Sequence, residues 1–437
     1  MKPDLSAEQT TRPGFKEAAI IATLILSGEA IFLLPFILPR IFRPTFLEVF
    51  DLTNFELGVA YSVYGLVAIG AYFLGGPIAD RFPARNLMTA AMLSTGLGGI
   101  YLLTIPTFTG LCLVYGFWGL TTILLFWSAM LRATRIWGGK DRQGLAYGLL
   151  DGGRGLVAAL VASVSVIAFA SVMAADITND VAPDKGAALI TVVLIFTATT
   201  LVTAAIIWLA IPSRDSRMST SIKNDRLKWS AVLSVMTKPA VWLNAVIVLC
   251  AYVSFKSIDD FSLYVNIVHG YDDVEAAQFG TVAFWIRPVA ALAAGILADR
   301  FKASWIVSFG FGFVAIGSVA ISIGLLPPGT TWTLIATIVV LSIGIYAVRG
   351  VYFALVAESQ IPIRFTGTAI GIVSTVGFLP DVFMGPVMGY FLDHYPGEAG
   401  HRLVFGLVGA FALVGFLTSY FFRKVTRHNQ TSALAPD

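Results

Sequence analysis

The chain has 437 residues, of which 57% are hydrophobic and only 13% charged, with a mean hydropathy of +0.80. Soluble domains carry about 25% charged residues, so this composition excludes a water-wrapped globule and specifies a membrane protein. The two cysteines, Cys112 and Cys250, lie inside apolar runs, and the four histidines lack ligand spacing; a disulfide scaffold and a metal centre are both excluded, and no cofactor or nucleic-acid partner is expected at a net charge of +3.

Crossing a hydrocarbon core of roughly 30 Å takes about 20 helical residues. Runs of that length predict twelve helices, over 17-42, 55-79, 86-106, 108-131, 144-174, 187-211, 239-267, 275-297, 304-326, 331-357, 366-392 and 402-422. The first run is longer than a signal-peptide core and is expected to stay as helix 1. An even count puts both termini on one side, and that side carries 21 Lys and Arg against 4 opposite, namely Arg40, Arg43, Lys185 and Arg402. Positive residues favour the cytoplasm, so both tails, 1-16 and 423-437, are expected there, in an inner or plasma membrane.

Between the sixth and seventh runs, the segment 212-238 carries Arg214, Arg217, Lys223, Arg226, Lys228 and Lys238 and reads as a cytoplasmic linker between bundles 17-211 and 239-422. The halves share a repeat. Gly76-Pro-Ile-Ala-Asp80-Arg81-Phe82 returns 219 residues later as Gly295-Ile-Leu-Ala-Asp299-Arg300-Phe301, with five of seven positions kept. A second echo pairs Gly144 and Gly148 with Gly367 and Gly371.

In this motif, helix count, linker and duplication the chain resembles the major facilitator superfamily. The resemblance rests on Gly76, Asp80, Arg81 and Arg85, and on Gly295, Asp299 and Arg300; Pro83 and Lys302 stand where the family usually has glycine, and Ala84 where it has arginine. It implies an all-α fold of two pseudo-symmetric six-helix bundles. It also implies a gating role for the Asp80 and Asp299 clusters, which latch the halves when the cytoplasmic side is closed. Such a protein is a transporter, not an enzyme, and it is expected to act as a monomer. A Gly-x-Ser-x-Gly or His-Glu-x-x-His motif is absent from the sequence.

A charge at the bilayer centre costs at least about 2.5–3.5 kcal/mol, so ionisable residues within spans face water or one another. Runs three, six and nine contain none, and run twelve holds only Arg402 at its first position. The others hold Glu29, Asp151, Arg154, Lys256, Asp259, Asp260, Arg287, Arg349 and Asp381. At 1.5 Å per residue, Glu29, Lys256, Arg287 and Asp381 fall near mid-membrane, and Arg349 slightly toward the cytoplasm. Lys256, Arg287 and Arg349, with Tyr346 and Tyr352 flanking the last, are the expected substrate-binding residues. Guanidinium groups suit carboxylate, phosphate or sulfonate, so the expected solute is a small organic anion, carried by proton symport. Glu29 and Asp381 are the expected proton carriers. Lys256 and Asp260, four apart, are expected to share a helix face and pair; Asp151 and Arg154, three apart, are expected to pair locally and take part in gating. Proton-driven efflux of drug-like compounds and transport of a neutral sugar rank lower, because the Gly152-Gly-Arg-Gly155 stretch lacks the proline of the drug antiporters.

Overall fold

A computed structural model describes residues 14–139, 143–178, 183–213, 235–327, 329–359, 361 and 366–432. Arg214, Arg217, Lys223, Arg226 and Lys228 of the expected linker, most of the N-terminal tail and the last part of the C-terminal tail lie outside the described residues.

The described residues form twelve membrane-length helical segments. These are α1 (Phe15–Ile41), α2 (Asn54–Arg81), α3 (Ala84–Leu102), α4 (Phe108–Gly138), α5 (Gln143–Thr178), α6 (Lys185–Ala210), α7 (Pro239–His269), α8 (Asp273–Phe301), α9 (Ala303–Ser322), α10 (Thr331–Glu358), α11 (Ala369–His394) and α12 (Glu398–Ser432). Eleven of them are long and apolar enough to cross a membrane. The exception is α3, whose 19 residues open on Arg85 and Asn86 and include three glycines. Within each half the helices pack on one another, α1 with α5 and α6 in the first, and α7 with α11 and α12 in the second. Across the seam α2 packs on α11 and α5 on α8.

Several segments depart from regular α geometry, each for a local reason. Pro35 has no N–H to donate and crowds the preceding turn, and α1 widens into π geometry over Leu33–Ile37, where the Ile37 N–H reaches back to the Phe32 carbonyl at 3.2 Å. In α7 the Ser254 and Ser257 hydroxyls donate to the Cys250 and Ser254 carbonyls at 2.8 and 2.7 Å. Such back-bonding competes with the regular ladder. There the helix tightens into a 3₁₀ turn over Ser257–Asp260 before resuming. The second segment of α11 begins at Pro380, after the first ends at Gly377.

The helix ends remote from the termini form a closed seam. Asp393 of α11 caps the start of α2, accepting from the backbone N–H groups of Asn54 and Phe55 at 3.1 and 2.7 Å. A carboxylate at a helix N-terminus meets unpaired donors and the positive end of the dipole. Arg40 donates to Asp259 at 2.5 Å, Arg43 donates to the Asp259 carbonyl at 3.1 Å and to Asn54, and Lys185 bridges Glu48 and Asp273 at 2.6 and 2.9 Å. Gly58 and Gly385 bring the α2 and α11 backbones together: a Cβ on Gly58 would overlap the Gly385 carbonyl oxygen. Toward the terminus-bearing end several glycines have open space beside them. A Cβ on Gly148, Gly152, Gly295 or Gly371 would meet nothing within 4 Å.

Candidate functional site

The ionisable residues singled out in the sequence converge on the middle of the seam. Glu29 of α1, 3% exposed, accepts from Arg287 Nη1 of α8 at 2.9 Å and faces Arg154 Nε of α5 at 3.1 Å. Arg154 also donates to the Gly28 carbonyl at 2.9 Å. Asp151 closes the set, 3.6 Å from Arg287 and 4.0 Å from Arg154. The local Asp151 and Arg154 pair expected from their spacing is thus the longest contact of a four-membered network spanning both halves. Close helix approach allows it: a Cβ on Gly28 would lie 2.9 Å from Arg154 Cδ, and one on Gly155 would lie 3.1 Å from Arg287 Cγ.

Lys256 does not pair with Asp260. Its Nζ lies 2.7 Å from Asp381 of α11, whose other oxygen accepts from the Tyr252 hydroxyl at 3.0 Å. The 3₁₀ turn that begins at Ser257 has three residues per turn and so breaks the expected four-residue register. Asp259 consequently meets Arg40 across the seam, and Asp260 meets His401 of α12 at 2.7 Å. Phe36, Tyr61 and Tyr252 surround the Lys256 ammonium at 4.9, 5.5 and 5.7 Å. Aromatic faces attract a cation in this range.

Arg349 differs from the other cations of the seam. Its guanidinium stacks on Phe255 at 3.6 Å and lies 5.5 Å from the Tyr252 ring, and its Nη1 is buried without a hydrogen-bond partner. It makes no ion pair among the described residues, although Asp151, Arg154 and Tyr72 of the opposite half lie within electrostatic reach. Tyr346 is buried with its hydroxyl also unpartnered, and Tyr352, six residues on, is buried as well. Arg154, Arg287 and Arg349 against Glu29 and Asp151 leave one positive charge in excess, while Lys256 and Asp381 balance.

The repeated motifs at the terminus-bearing end are not engaged with each other. Asp80, Arg81, Asp299 and Arg300 are exposed and form no ion pair among the described residues. Arg85 stacks on Trp208 at 4.1 Å. Sequence reasoning passed over the far-end residues. Arg40, Arg43 and Lys185 were counted as loop charges, yet Arg40 and Arg43 are 5% and 3% exposed. The available signal was their position at helix ends, within reach of acids on neighbouring loops; His401 offered none beyond being a histidine beside an apolar run.

Residues 19–384 match the Major Facilitator Superfamily. The chain is 25% identical over 427 residues to the inner membrane protein YihN of Escherichia coli (strain K12), covering 97% of this chain and 99% of that protein. It is 26% identical over 422 residues to the inner membrane protein YqcE of the same organism, covering 95% and 97%. Among solved structures it superposes on a bacterial homologue of the human lysosomal transporter Spinster with a TM-score of 0.72 at 17% identity, covering 95% of this chain and 99% of that one. The nucleoside transporter NupG follows with 0.68 at 12% identity, covering 94% and 99%. With this match across most of its length and this fold, the chain belongs to the Major Facilitator Superfamily and is a multi-pass integral membrane transporter.

Proposed function

We propose that this transporter moves a small organic anion by alternating access, with Arg349 as the group that takes the anionic moiety. The observation that supports the reading is the unpaired guanidinium itself. A half-buried guanidinium with one buried N–H group left without a partner is costly, and a carboxylate, phosphate or sulfonate arriving in the seam supplies the missing charge and hydrogen bonds. Glu29 and Asp381, expected as proton carriers, occupy counter-ion positions, and we assign them to holding Arg154, Arg287 and Lys256 in place while the site is empty. Tyr346 and Tyr352 complete the site beside Arg349. Asp80 and Asp299, with Arg81, Arg85 and Arg300, are assigned to the opposite conformation, closed at the terminus-bearing end. We place that end in the cytoplasm on the lysine and arginine excess, and take α1–α6 and α7–α12 as the halves that rock about the seam.

The test is uptake into proteoliposomes with a panel of labelled carboxylates, sugar phosphates, sulfonates and neutral sugars. An anion is expected to be carried by the wild type, to be lost in Arg349→Ala and to be partly kept in Arg349→Lys, which retains charge without the bidentate fork. Transport of a neutral solute that survives Arg349→Ala would overturn the reading.

A further inference from the structure

Away from the anion site, α7 and α12 enclose a pair of ionisable side chains: His401 Nδ1 lies 2.7 Å from Asp260 Oδ2, with side-chain exposures of 1% and 0%. The other carboxylate oxygen, Asp260 Oδ1, is buried with no hydrogen-bond partner. The groups that face His401 are few. From α7 come Asp260 and Tyr264, whose ring lies 5.4 Å away, with His269 behind Tyr264 at 5.1 Å. Glu398 lies one turn earlier on α12, within electrostatic reach of Tyr264 and His269. Around this part of α12, α9 presents Ser318, Val319 and Ser322 and α11 presents Phe391 and Leu392, while Arg402 of α12 turns away to donate to the Ser322 carbonyl. The charge of this enclosed pair therefore depends on whether a proton is held between its carboxylate and its imidazole.

What the site controls follows from its neighbour. Asp259 and Asp260 are consecutive residues of one 3₁₀ turn and meet different partners, Arg40 and His401. Asp259 holds Arg40 across the seam and offers its carbonyl to Arg43, while Asp260 is anchored inside the second half. With the far end closed, Arg40 and Arg43 balance the two aspartates and a neutral His401 suffices. Opening the far end takes both arginines away and leaves two adjacent carboxylates, neither of them beside a cation while His401 is neutral. A proton on the histidine pair then offsets the lost charge.

We propose that Asp260 and His401 form a proton-binding site that couples opening of the far end to proton uptake. Since the open form binds the proton more tightly, acid favours opening and alkali favours the closed form seen here. The proposal rests on alternating access alone and is independent of the nature of the solute.

The test places spin labels at Asp51→Cys and Pro396→Cys, exposed positions at the far ends of the two halves, and measures their separation in nanodiscs from about pH 5 to pH 8. In the otherwise wild-type protein the long-distance population is expected to grow as pH falls. His401→Gln is expected to abolish that dependence, as is Asp260→Asn. A pH-independent distance without these substitutions, or an unchanged profile in His401→Gln, would overturn the proposal. If both variants fail to fold, histidine NMR of the doubly substituted protein, cross-linked shut through the two new cysteines, decides. One buried ring that does not titrate until the cross-link is reduced supports the proposal, and the same titration in both states refutes it.

Discussion

Lys256 and Asp381 show how a membrane interior tolerates charge. The ammonium has a carboxylate at 2.7 Å and three aromatic faces around it, and the carboxylate has a phenol as second donor. Removing one partner of such a buried pair costs about 3–5 kcal/mol, whereas replacing both with apolar groups of similar volume is often neutral. Asp381→Asn is therefore expected to lower the melting temperature in detergent clearly, and the double variant Asp381→Asn with Lys256→Met is expected to recover most of the loss. Arg349 has no such pair to lose. Arg349→Ala is expected to leave the melting temperature of the empty protein close to that of the wild type and to erase the rise produced by a bound anion, as followed by a thermal-shift titration. The sequence made these residues visible because ionisable side chains in a span carry a cost that only a shared polar seam relieves. Their partners were not visible. Pairing Lys256 with Asp260 assumed an unbroken helix, and two serine hydroxyls bonding back to carbonyls were enough to rotate Asp259 and Asp260 to other neighbours.

Helices of this chain are set by apolar length, which is why their number and order could be read directly, and their approach distances are set by what their facing surfaces lack. Gly58, Gly385 and Gly389 let α2 and α11 meet backbone to backbone; a Cβ on Gly389 would lie 2.5 Å from the Asn54 oxygen. An alanine there pushes the helices apart only while the far end is closed, since that contact parts when the far end opens. Overpacking of this kind costs about 1–3 kcal/mol. Gly385→Ala is thus expected to raise the population of the open far end by about fivefold to a hundredfold, at about 1.4 kcal/mol per factor of ten. The readout is maleimide labelling of a cysteine at Leu57, a buried position on the same stretch of α2. Gly70→Ala, where a Cβ meets nothing within 4 Å, is the control and should leave labelling unchanged. An unaltered rate in Gly385→Ala would show that the α2 and α11 contact does not limit opening.

At the scale of the whole molecule the structure presents one closed end, held by Arg40, Arg43, Lys185 and Asp393, and the proposed latch belongs to the other. The duplicated Asp80 and Asp299 motifs announced a latch from sequence alone, whereas the far-end clamp of Arg40, Arg43, Lys185 and Asp393 carried no repeat and went unread. In the conformation described here the first set is exposed and the second is paired, so a substitution in either acts on the balance between conformations rather than on the fold. Asp80→Asn removes nothing that holds this conformation together, and on the proposed gating role it weakens the alternative one. It is expected to leave thermal stability unchanged, to slow transport, and to lengthen the time spent with the far end closed. Arg40→Ala acts in the reverse sense, because it leaves Asp259 facing an empty seam only while the far end is shut. The two residues sit at opposite ends of the bundle with no shared partner, a situation in which free-energy effects add. The double variant is therefore expected to return the conformational balance toward that of the wild type, measured by the same pair of far-end spin labels. A double variant no closer to the wild type than Asp80→Asn alone would mean that the two ends are not alternatives, and that opening one does not require closing the other.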